Sequence, residues 1–347
     1  MNNSGHEHET EKQPKVRAIA ATSGGLDSLL AAAVVRRAGI DVTLLHVQHL
    51  FSTDEEGRAR IREQAERANL PLRIVDRSAE HLETVRRPKH GYGQGMNPCV
   101  DCRVFMLKVA KQVMEEEGAQ FVVTGEVLGQ RPKSQHYHAL LDAAEESGLG
   151  DRLLRPLSAR LLPETLPIRE GWLSLNDLPT IHGRSRQQQM ALAQELSIDN
   201  YPQPAGGCIL IEKTYAARLR DAFAHVGKDA VGVEEFRLLE HGRHFRLSED
   251  VKVIIGRNQA ENEALEHYAS GRIRIDPVEV MGPTALIEGN PSKETLGLIC
   301  SLVARYCDHA GADAVRLLVV RDGETIQVDA APLDRDDPRI GSWRIGD

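Results

Sequence analysis

Apolar runs alternate with longer amphipathic stretches through the first half of the chain. Four runs rich in Val, Ile, Leu and Ala, which is typical of buried strands, lie at residues 16–21, 42–48, 72–75 and 121–124. Apolar positions at helical spacing fill residues 28–37, 54–69 and 100–117. Strands that alternate with helices of this length predict right-handed βαβ crossovers. We therefore predict an α/β fold with a parallel sheet that is covered on both faces.

A second pattern begins after residue 207. The sequence YPQPAGG at 201–207 is rich in Pro and Gly, which indicates a boundary or an exposed loop. Beyond it, residues 251–255 and 316–320 resemble strands, and residues 293–309 resemble a helix. We predict a first domain at 16–207 and a smaller α+β domain at 208–335. Residues 1–15 and 336–347 are expected to be loose tails.

Composition narrows the class of protein. A chain of 347 residues is longer than one that usually folds around a single hydrophobic core, which favours two domains. The net charge of −8 argues against a protein that holds nucleic acid by bulk positive charge. No apolar run approaches the roughly 20 residues of a membrane span. The polar first 15 residues resemble neither a secretory signal nor a transit peptide. We expect a cytoplasmic location and no membrane partner.

The first predicted strand leads directly into Ser23-Gly24-Gly25-Leu26-Asp27-Ser28 and then into a helix. Glycines let the backbone approach an anion, and a helix N-terminus offers unpaired N–H groups and a positive dipole end. The segment lacks the lysine of a Walker A loop. The alternative is an ordinary strand–helix turn in which Asp27 or Ser28 serves as the N-cap. The pattern favours a phosphate site at the carboxyl end of the first strand.

Five cysteines divide into two groups. Cys99 and Cys102, three residues apart at a predicted helix start, would lie on one face, where the helix end and Arg103 favour thiolates. Cys208 follows two glycines, which permit close approach to another segment. Cys300 and Cys307 lie in an apolar helical stretch and are interpreted as buried core residues.

Three interpretations of Cys99, Cys102 and Cys208 remain open. The three thiolates would hold three irons of a [4Fe-4S] cluster and leave the fourth iron free for hydrosulfide. Alternatively, Cys208 would carry a persulfide that Cys99 releases through a disulfide. Zinc is a third interpretation, although it requires a fourth ligand.

Together these motifs resemble the tRNA thiolation branch of the PP-loop ATPases. SGGLDS at 23–28, PCVDC at 98–102 and PAGGC at 204–208 resemble motifs of 2-thiouridylases, and TGEVLGQRPKSQ at 124–135 resembles a stretch of 4-thiouridine synthases. The C-terminal stretch 241–268 resembles the small RNA-binding module of NFACT-type proteins. The chain departs from the family in showing neither a THUMP-like domain before the ATP loop nor a rhodanese domain after it.

This resemblance implies a fold, a reaction and a set of site residues. The fold would be the adenine-nucleotide alpha-hydrolase-like fold, with ATP and Mg²⁺ bound by residues of the loop and of the 124–135 stretch. The implied nucleotide-binding residues are Ser23, Gly24, Gly25, Asp27, Ser28 and Gly125. Asp27, Cys99 and Cys208 would be catalytic. ATP would adenylate a uridine oxygen of tRNA, and sulfur from hydrosulfide or a cysteine desulfurase would replace it.

Two other functions fit parts of the sequence. A PP-loop amide-forming ligase would explain the ATP loop but gives the three cysteines no purpose. An ATP-sensing RNA-binding protein with a structural metal would need no chemistry at all. An iron–sulfur cluster, which neither alternative requires, distinguishes them from the thiolation hypothesis.

Two basic segments are candidates for RNA contact. Residues 86–111 carry six basic side chains and one acid, and they include the cysteine motif. In the C-terminal region the candidate phosphate contacts are Arg243, His244, Arg246, Lys252 and Arg257. The alternative for both segments is a solvated charged face.

Overall fold

The computed structural model describes residues 15–52, 54–131, 134–199, 201 and 208–346, which form two compact units. The first unit comprises the described residues of 1–91 and 98–206, and the second comprises those of 92–97 and 207–347. Residues 1–14 of the expected N-terminal tail lie outside the described residues. The helices of the described ranges include none that is both long and apolar enough to cross a membrane.

The first unit contains a five-stranded sheet and seven α-helices among its described residues. In chain order they are β1 (Arg17–Ala21), α1 (Leu26–Arg37), β2 (Asp41–Gln48), α2 (Glu55–Arg67), β3 (Leu72–Asp76), α3 (Ser78–Arg86), α4 (Cys99–Glu116), β4 (Phe121–Val123), α5 (Tyr137–Glu146), β5 (Leu153–Leu154), α6 (Leu166–Arg169) and α7 (Gln187–Glu195). The strand order is β3-β2-β1-β4-β5, and all four pairings are parallel. The predicted parallel α/β fold is confirmed.

Strand β1 lies in the middle of this sheet and contributes to two cores. Ala18 and Ala20 pack in one cluster with Leu30 of α1, whereas Ile19 packs in another with Val113 of α4. Successive side chains of a strand point to opposite faces, so the sheet is buried on both sides. This explains why the strands appear in the sequence as continuous apolar runs.

The second unit is built on an antiparallel sheet. Its elements are α8 (Lys213–His225), α9 (Val233–Leu238), β6 (Arg243–Arg246), β7 (Lys252–Ile255), α10 (Gln259–His267), β8 (Ile273–Pro277), β9 (Ala285–Glu288), α11 (Lys293–Ala304), β10 (Val315–Arg321), β11 (Glu324–Ala330) and α12 (Pro338–Trp343). The strand order is β11-β10-β8-β9-β7-β6. Ile299 and Val303 of α11 share a core with Val253 of β7 and Val319 of β10. The predicted smaller α+β domain is confirmed as a fold class.

The prediction of a loose C-terminal tail was wrong. Residues 338–343 form α12, and Ile340 is buried in the core of the second unit. The backbone N–H of Ile345 donates to the carbonyl of His244 at 2.9 Å, so the chain end is also tied to β6. The segment is short and mostly polar, which hides its two apolar anchors, Ile340 and Trp343, from pattern analysis.

The loop at residues 92–97 groups with the second unit, although the sequence placed it in the first domain. The N–H of Met96 donates to the carbonyl of Leu210 at 2.8 Å, and Arg220 donates to the carbonyl of Gly95 at 3.0 Å. Gly95 has φ +66°, and a Cβ there would lie 2.3 Å from the Leu210 oxygen. The loop therefore lies directly on the segment that follows Cys208.

Candidate nucleotide and cysteine sites

The turn after β1 has a fixed backbone shape. The N–H of Gly24 donates to the Thr22 hydroxyl at 3.1 Å, and the N–H of Thr22 donates to the carbonyl of Leu45 at 2.8 Å. Gly24 has φ +74°, and a Cβ would lie 2.7 Å from Cγ1 of Ile61. Both the conformation and the close packing require glycine at this position.

Helix α1 begins in the middle of the predicted phosphate loop. Its N-cap is Gly25, which makes no side-chain cap, so the alternative in which Asp27 or Ser28 caps the helix is wrong. The Ser28 hydroxyl instead donates to the carbonyl of Gly25 at 2.8 Å. An uncapped N-terminus leaves backbone N–H groups available to an anion, and Asp27 lies in the first turn.

The two carboxylate oxygens of Asp27 differ in their hydrogen bonding. Gln130 Nε2 donates to Asp27 Oδ2 at 2.9 Å, which fixes the orientation of the side chain. Asp27 Oδ1 is buried and has no hydrogen-bond partner among the described residues. A buried carboxylate oxygen without a partner is costly unless a ligand satisfies it. It is a suitable donor for a hard cation such as Mg²⁺.

Gly125 closes the same site from the neighbouring strand. It follows β4, which pairs directly with β1, so the two loops emerge at one edge of the sheet. A Cβ at Gly125 would lie 2.4 Å from the Asp27 carbonyl carbon and 2.4 Å from the Ser28 nitrogen. The structure thus brings together the six predicted nucleotide-binding residues. Gln130 also lies at this site. It belongs to the 124–135 motif, but the sequence analysis predicted no role for it.

The cysteine pair lies at the start of α4. Cys99 is the first residue of the helix, and both Cys99 and Cys102 are half-buried. His81 Nε2 lies 3.1 Å from Cys102 Sγ. Burial, followed by the neighbouring His49, lowers the pKa of His81 to about 3, so its imidazole is neutral at physiological pH. The sequence gave no signal for His81, because it lies on α3, 21 residues before its partner.

Arg103 is buried in a charge network rather than exposed to RNA. Its Nε lies 3.0 Å from Glu126 Oε1, and Arg155 Nε lies 2.8 Å from Glu126 Oε2. Burial lowers the pKa of Arg103, whereas Glu126 and Cys99 act in the opposite direction. The prediction that Arg103 contacts RNA is therefore wrong. The network instead joins α4 to the segment after β4.

Cys208 belongs to the second unit and is half-buried. Within the residues that the structure describes, no group of three or more His, Cys, Asp or Glu side chains is arranged to hold a metal ion. Gly206 and Gly207, which precede Cys208, lie outside the described residues. The three-cysteine metal site accordingly stays a prediction.

The basic segment at 86–111 is mostly neutralised by acids. Arg86 and Arg87 both pair with Glu83, and Lys111 pairs with Glu115. Lys89 pairs with Glu146 at 2.8 Å. Lys108 is exposed and forms no ion pair within the described ranges. The excess of positive charge in the sequence is therefore much smaller on the folded surface.

Two of the five basic residues proposed for the C-terminal region are buried. His244 is 1% exposed, and Lys252 is 2% exposed and pairs with Glu288 at 3.1 Å, so the prediction that these two contact phosphate was wrong. Arg246 pairs with Asp221 at 2.7 Å. His244 lies at a buried position of β6, and all four residues of β7, including Lys252, are buried. The acids that pair with Arg246 and Lys252 are distant in the sequence.

Two family models match this chain. Residues 14–158 match the model described as thiamine biosynthesis protein (ThiI), and residues 242–344 match the model described as NFACT protein RNA binding domain. Both predicted resemblances are confirmed. The ThiI-like region contains the loop 23–28, the cysteine pair and Gly125, and the NFACT-type region contains the second sheet.

Curated relatives match less than half of the chain. The tRNA-specific 2-thiouridylase MnmA of Azorhizobium caulinodans is 30% identical over 146 residues, which are 38% of this chain and 37% of that protein. The probable tRNA sulfurtransferase of Methanothermobacter thermautotrophicus is 30% identical over 171 residues, which are 47% of this chain and 42% of that protein. The chain thus spans less than half the length of these relatives.

Solved structures show weaker likeness. The U34-tRNA thiolase NcsA from Methanococcus maripaludis with its [4Fe-4S] cluster is 17% identical with a TM-score of 0.34, covering 66% of this chain and 74% of that chain. A TM-score this low carries no weight for function.

Proposed function

We propose that this protein is an ATP-dependent tRNA sulfurtransferase. The observation that carries the proposal is the buried, unpartnered Asp27 Oδ1 beside an uncapped helix N-terminus, within the region that matches the ThiI model. The names of the curated relatives, a 2-thiouridylase and a probable tRNA sulfurtransferase, support the same reaction.

The loop 23–28 would bind the phosphates of ATP. The uncapped N–H groups at the start of α1 would donate to phosphate oxygens, and the hydroxyl of exposed Ser23 would add a side-chain donor. Asp27 would hold Mg²⁺ through Oδ1 while Gln130 orients the carboxylate through Oδ2. The ion would neutralise charge on the pyrophosphate. Gly125 would keep the neighbouring loop close enough to exclude water from this side.

Adenylation explains why ATP is needed. The uracil carbonyl oxygen attacks the α-phosphorus, a new O–P bond forms, and pyrophosphate leaves with the electron pair of the broken P–O bond. A sulfur nucleophile then attacks the activated ring carbon, and AMP leaves with the former carbonyl oxygen. The loop's positive dipole and donors would stabilise the negative charge that develops on the phosphates.

The sulfur would be supplied at the cysteines. Cys99 and Cys102 are one helical turn apart, so their thiolates suit two ligands of an iron–sulfur cluster, and Cys208 is proposed as the third. The alternative keeps a persulfide on Cys208 with Cys99 as the resolving thiol. His81, beside Cys102, would hold that side chain in place.

A reconstituted reaction tests the proposal. Unmodified tRNA, ATP, Mg²⁺ and sulfide are incubated with anaerobically purified protein, and the tRNA is digested for nucleoside mass spectrometry. We expect a thiolated uridine together with AMP and pyrophosphate. ATP cleaved to AMP with ammonia and a carboxylate acceptor, but not with tRNA, would favour an amide-forming ligase and contradict the proposal.

A further inference from the structure

Two arginines of the second unit are arranged on one tyrosine ring. The guanidinium carbon of Arg243, at the start of β6, lies 4.7 Å from the ring centroid of Tyr306, and that of Arg305 lies 5.1 Å from it. All three residues are half-buried. Cation–π contact restricts the rotamers of both side chains and holds two positive charges close together.

Two further arginines add charge to this cluster. Burial is the main cause that lowers the pKa of Arg243, and the positive charges of Arg344 and Arg257 lower it further, against Tyr306 and Glu261. Arg344 is placed beside β6 by a backbone bridge to Phe245. The guanidiniums remain charged at neutral pH. The fold therefore holds Arg243 and Arg305 on one ring, with Arg257 two residues after the β7 partner of Arg243 and Arg344 bridged to the residue that follows its neighbour His244.

Few of these charges have a counter-ion. Arg257 pairs with Glu261, whereas Arg243, Arg305 and Arg344 form no ion pair within the described part of the chain. Arg243 donates to the carbonyl of Gly256 at 3.0 Å, and Arg305 donates to that of Arg335 at 3.0 Å. The Nε of Arg305 is buried without a hydrogen-bond partner among the described residues.

The cluster stands out against the other basic residues of the same unit. Arg246, Lys252 and Arg316 are each paired with a carboxylate, at 2.7, 3.1 and 2.9 Å. Like charges that outnumber the acids beside them repel each other, and an anion would reduce that repulsion. Guanidinium groups bind phosphate with two parallel N–H donors, which makes a phosphate the best-matched anion.

We propose that Arg243 and Arg305, which lie on the Tyr306 ring, together with Arg257 and Arg344 beside β6, form the surface by which the second unit binds the phosphate backbone of RNA. The match of residues 242–344 to an RNA-binding domain model favours RNA over an acidic protein as the ligand. The inference rests on the proposed function in taking tRNA as the RNA.

The test measures binding without chemistry. Fluorescence anisotropy follows an end-labelled tRNA transcript on the full chain, without ATP or sulfide, from about 50 to about 200 mM KCl. The double variant Arg243→Gln/Arg305→Gln should bind about 10- to 100-fold more weakly at the low-salt end. Its log–log salt slope should fall by about 2, one for each lost phosphate contact.

Matched variants of the same unit distinguish a general loss of positive charge from the loss of the proposed binding surface. Arg316→Gln/Arg339→Gln removes two exposed arginines that are paired with Asp329 and Asp337, so its slope should equal that of the wild type. Arg243→Lys should recover part of the lost affinity, because it restores the charge. If the double variant unfolds at a lower urea concentration than the wild type, Arg344→Gln provides a second measurement of tRNA binding. The Arg344 side chain has no partner among the described residues.

An unchanged affinity and slope in both Arg243→Gln/Arg305→Gln and Arg344→Gln would overturn the inference. If a poly-glutamate peptide binds as tightly as tRNA, and if the same variants lose that binding, the assignment to RNA would be overturned. Binding of tRNA without thiolation would contradict only the proposed function. Thiolation with unaltered binding by the variants would contradict only this inference.

Discussion

The two units leave groups of opposite charge without an ion pair. In the first unit, Asp27 Oδ1 has no hydrogen-bond partner among the described residues, and it lies beside the uncapped start of α1 at the edge of the parallel sheet. In the second unit, Lys252 is 2% exposed and pairs with Glu288, whereas the Nε of Arg305 is buried without a hydrogen-bond partner among the described residues. Unsatisfied polar groups weaken a fold, so each of these two positions suits a ligand of the opposite charge, a cation in the first unit and an anion in the second.

The cysteines of the two units also differ. Cys99 and Cys102 are half-buried at the N-terminus of α4. Cys300 and Cys307 are buried in the second core, and burial raises the pKa of each to about 11. The interpretation of these two as core residues is confirmed. A motif of chemistry-bearing residues thus has meaning only together with the surroundings that the fold supplies.

The largest effect is expected at Asp27. Asp27→Ala should lower AMP formation by at least about 10²-fold, because it removes the proposed Mg²⁺ ligand from the phosphate site. Urea unfolding should show a loss of at most about 1 kcal/mol, since the substitution removes the hydrogen bond from Gln130 to Oδ2, whereas Oδ1 had no partner among the described residues. Asp142→Ala, at an exposed helical position, is the control and should leave both measurements unchanged. Full AMP formation in Asp27→Ala would remove the basis of the contrast between the units.

Loss of iron is the next expected effect. Cys99→Ala, Cys102→Ala and Cys208→Ala should each lose most of the iron and the absorbance at about 400 nm, because a cluster with too few thiolates disassembles. Iron content and thiolated-nucleoside yield are measured after anaerobic purification. Cys300→Ala and Cys307→Ala should retain iron and at most loosen packing. A colourless, active protein in which Cys102 is dispensable would support the persulfide mechanism instead.

Gly125→Ala tests whether the close approach of the two loop backbones matters for ATP binding, because it changes no functional side chain. Its Cβ would meet the Asp27–Ser28 backbone at 2.4 Å, so the loops must move apart. We expect a loss of about 1–3 kcal/mol in the free energy of unfolding and weaker ATP binding by calorimetry. Gly297→Ala, which meets nothing within 4 Å on helix α11, is the matched control and should be neutral or stabilising. Equal ATP affinity in both variants would show that the two loops do not act as one site.

The smallest effect is a pH dependence in the second unit. Burial, followed by the charges of Lys252 and Arg218, holds the pKa of His244 well below its usual 6.5. Below about pH 6.5, His244 therefore binds a proton in the unfolded chain but not in the folded chain. The free energy of unfolding keeps the full contribution of His244 above that pH and decreases as the pH falls below it. The slope approaches about 1.4 kcal/mol per pH unit for one proton. Urea midpoints of wild type and His244→Gln, compared at two pH values on either side of 6.5, check this.

The outcome of the His244 comparison is unambiguous. His244 Nε2 contacts the carbonyl of His241 at 2.8 Å, and glutamine keeps a donor for that contact. The variant should lose the part of the acid sensitivity that this residue contributes. An identical pH dependence in both proteins would mean that His244 is protonated in the folded state.

Periodicity in the sequence predicted most of the first sheet and three of its helices. Continuous apolar runs and helical spacing identified β1 to β4 and the helices α1, α2 and α4 within about two residues. Strand β5, which is only two residues long, and the helices α3, α5, α6 and α7 were missed. The residues of the proposed nucleotide site could be found in the sequence because they cluster in two short motifs at the ends of adjacent strands.

The sequence by itself determined the parallel sheet, the glycine-rich turn at its edge and the cysteine pair at a helix start, because these depend on residues that are neighbours along the chain. Only the tertiary structure decided which charges remain available. Arg103, Lys252 and His244 carry the charge pattern of ligand-binding residues, yet Glu126 neutralises the first, Glu288 the second, and burial keeps the third uncharged. Their surroundings are contributed by distant segments, and the free energy of a charge depends on what surrounds it in space.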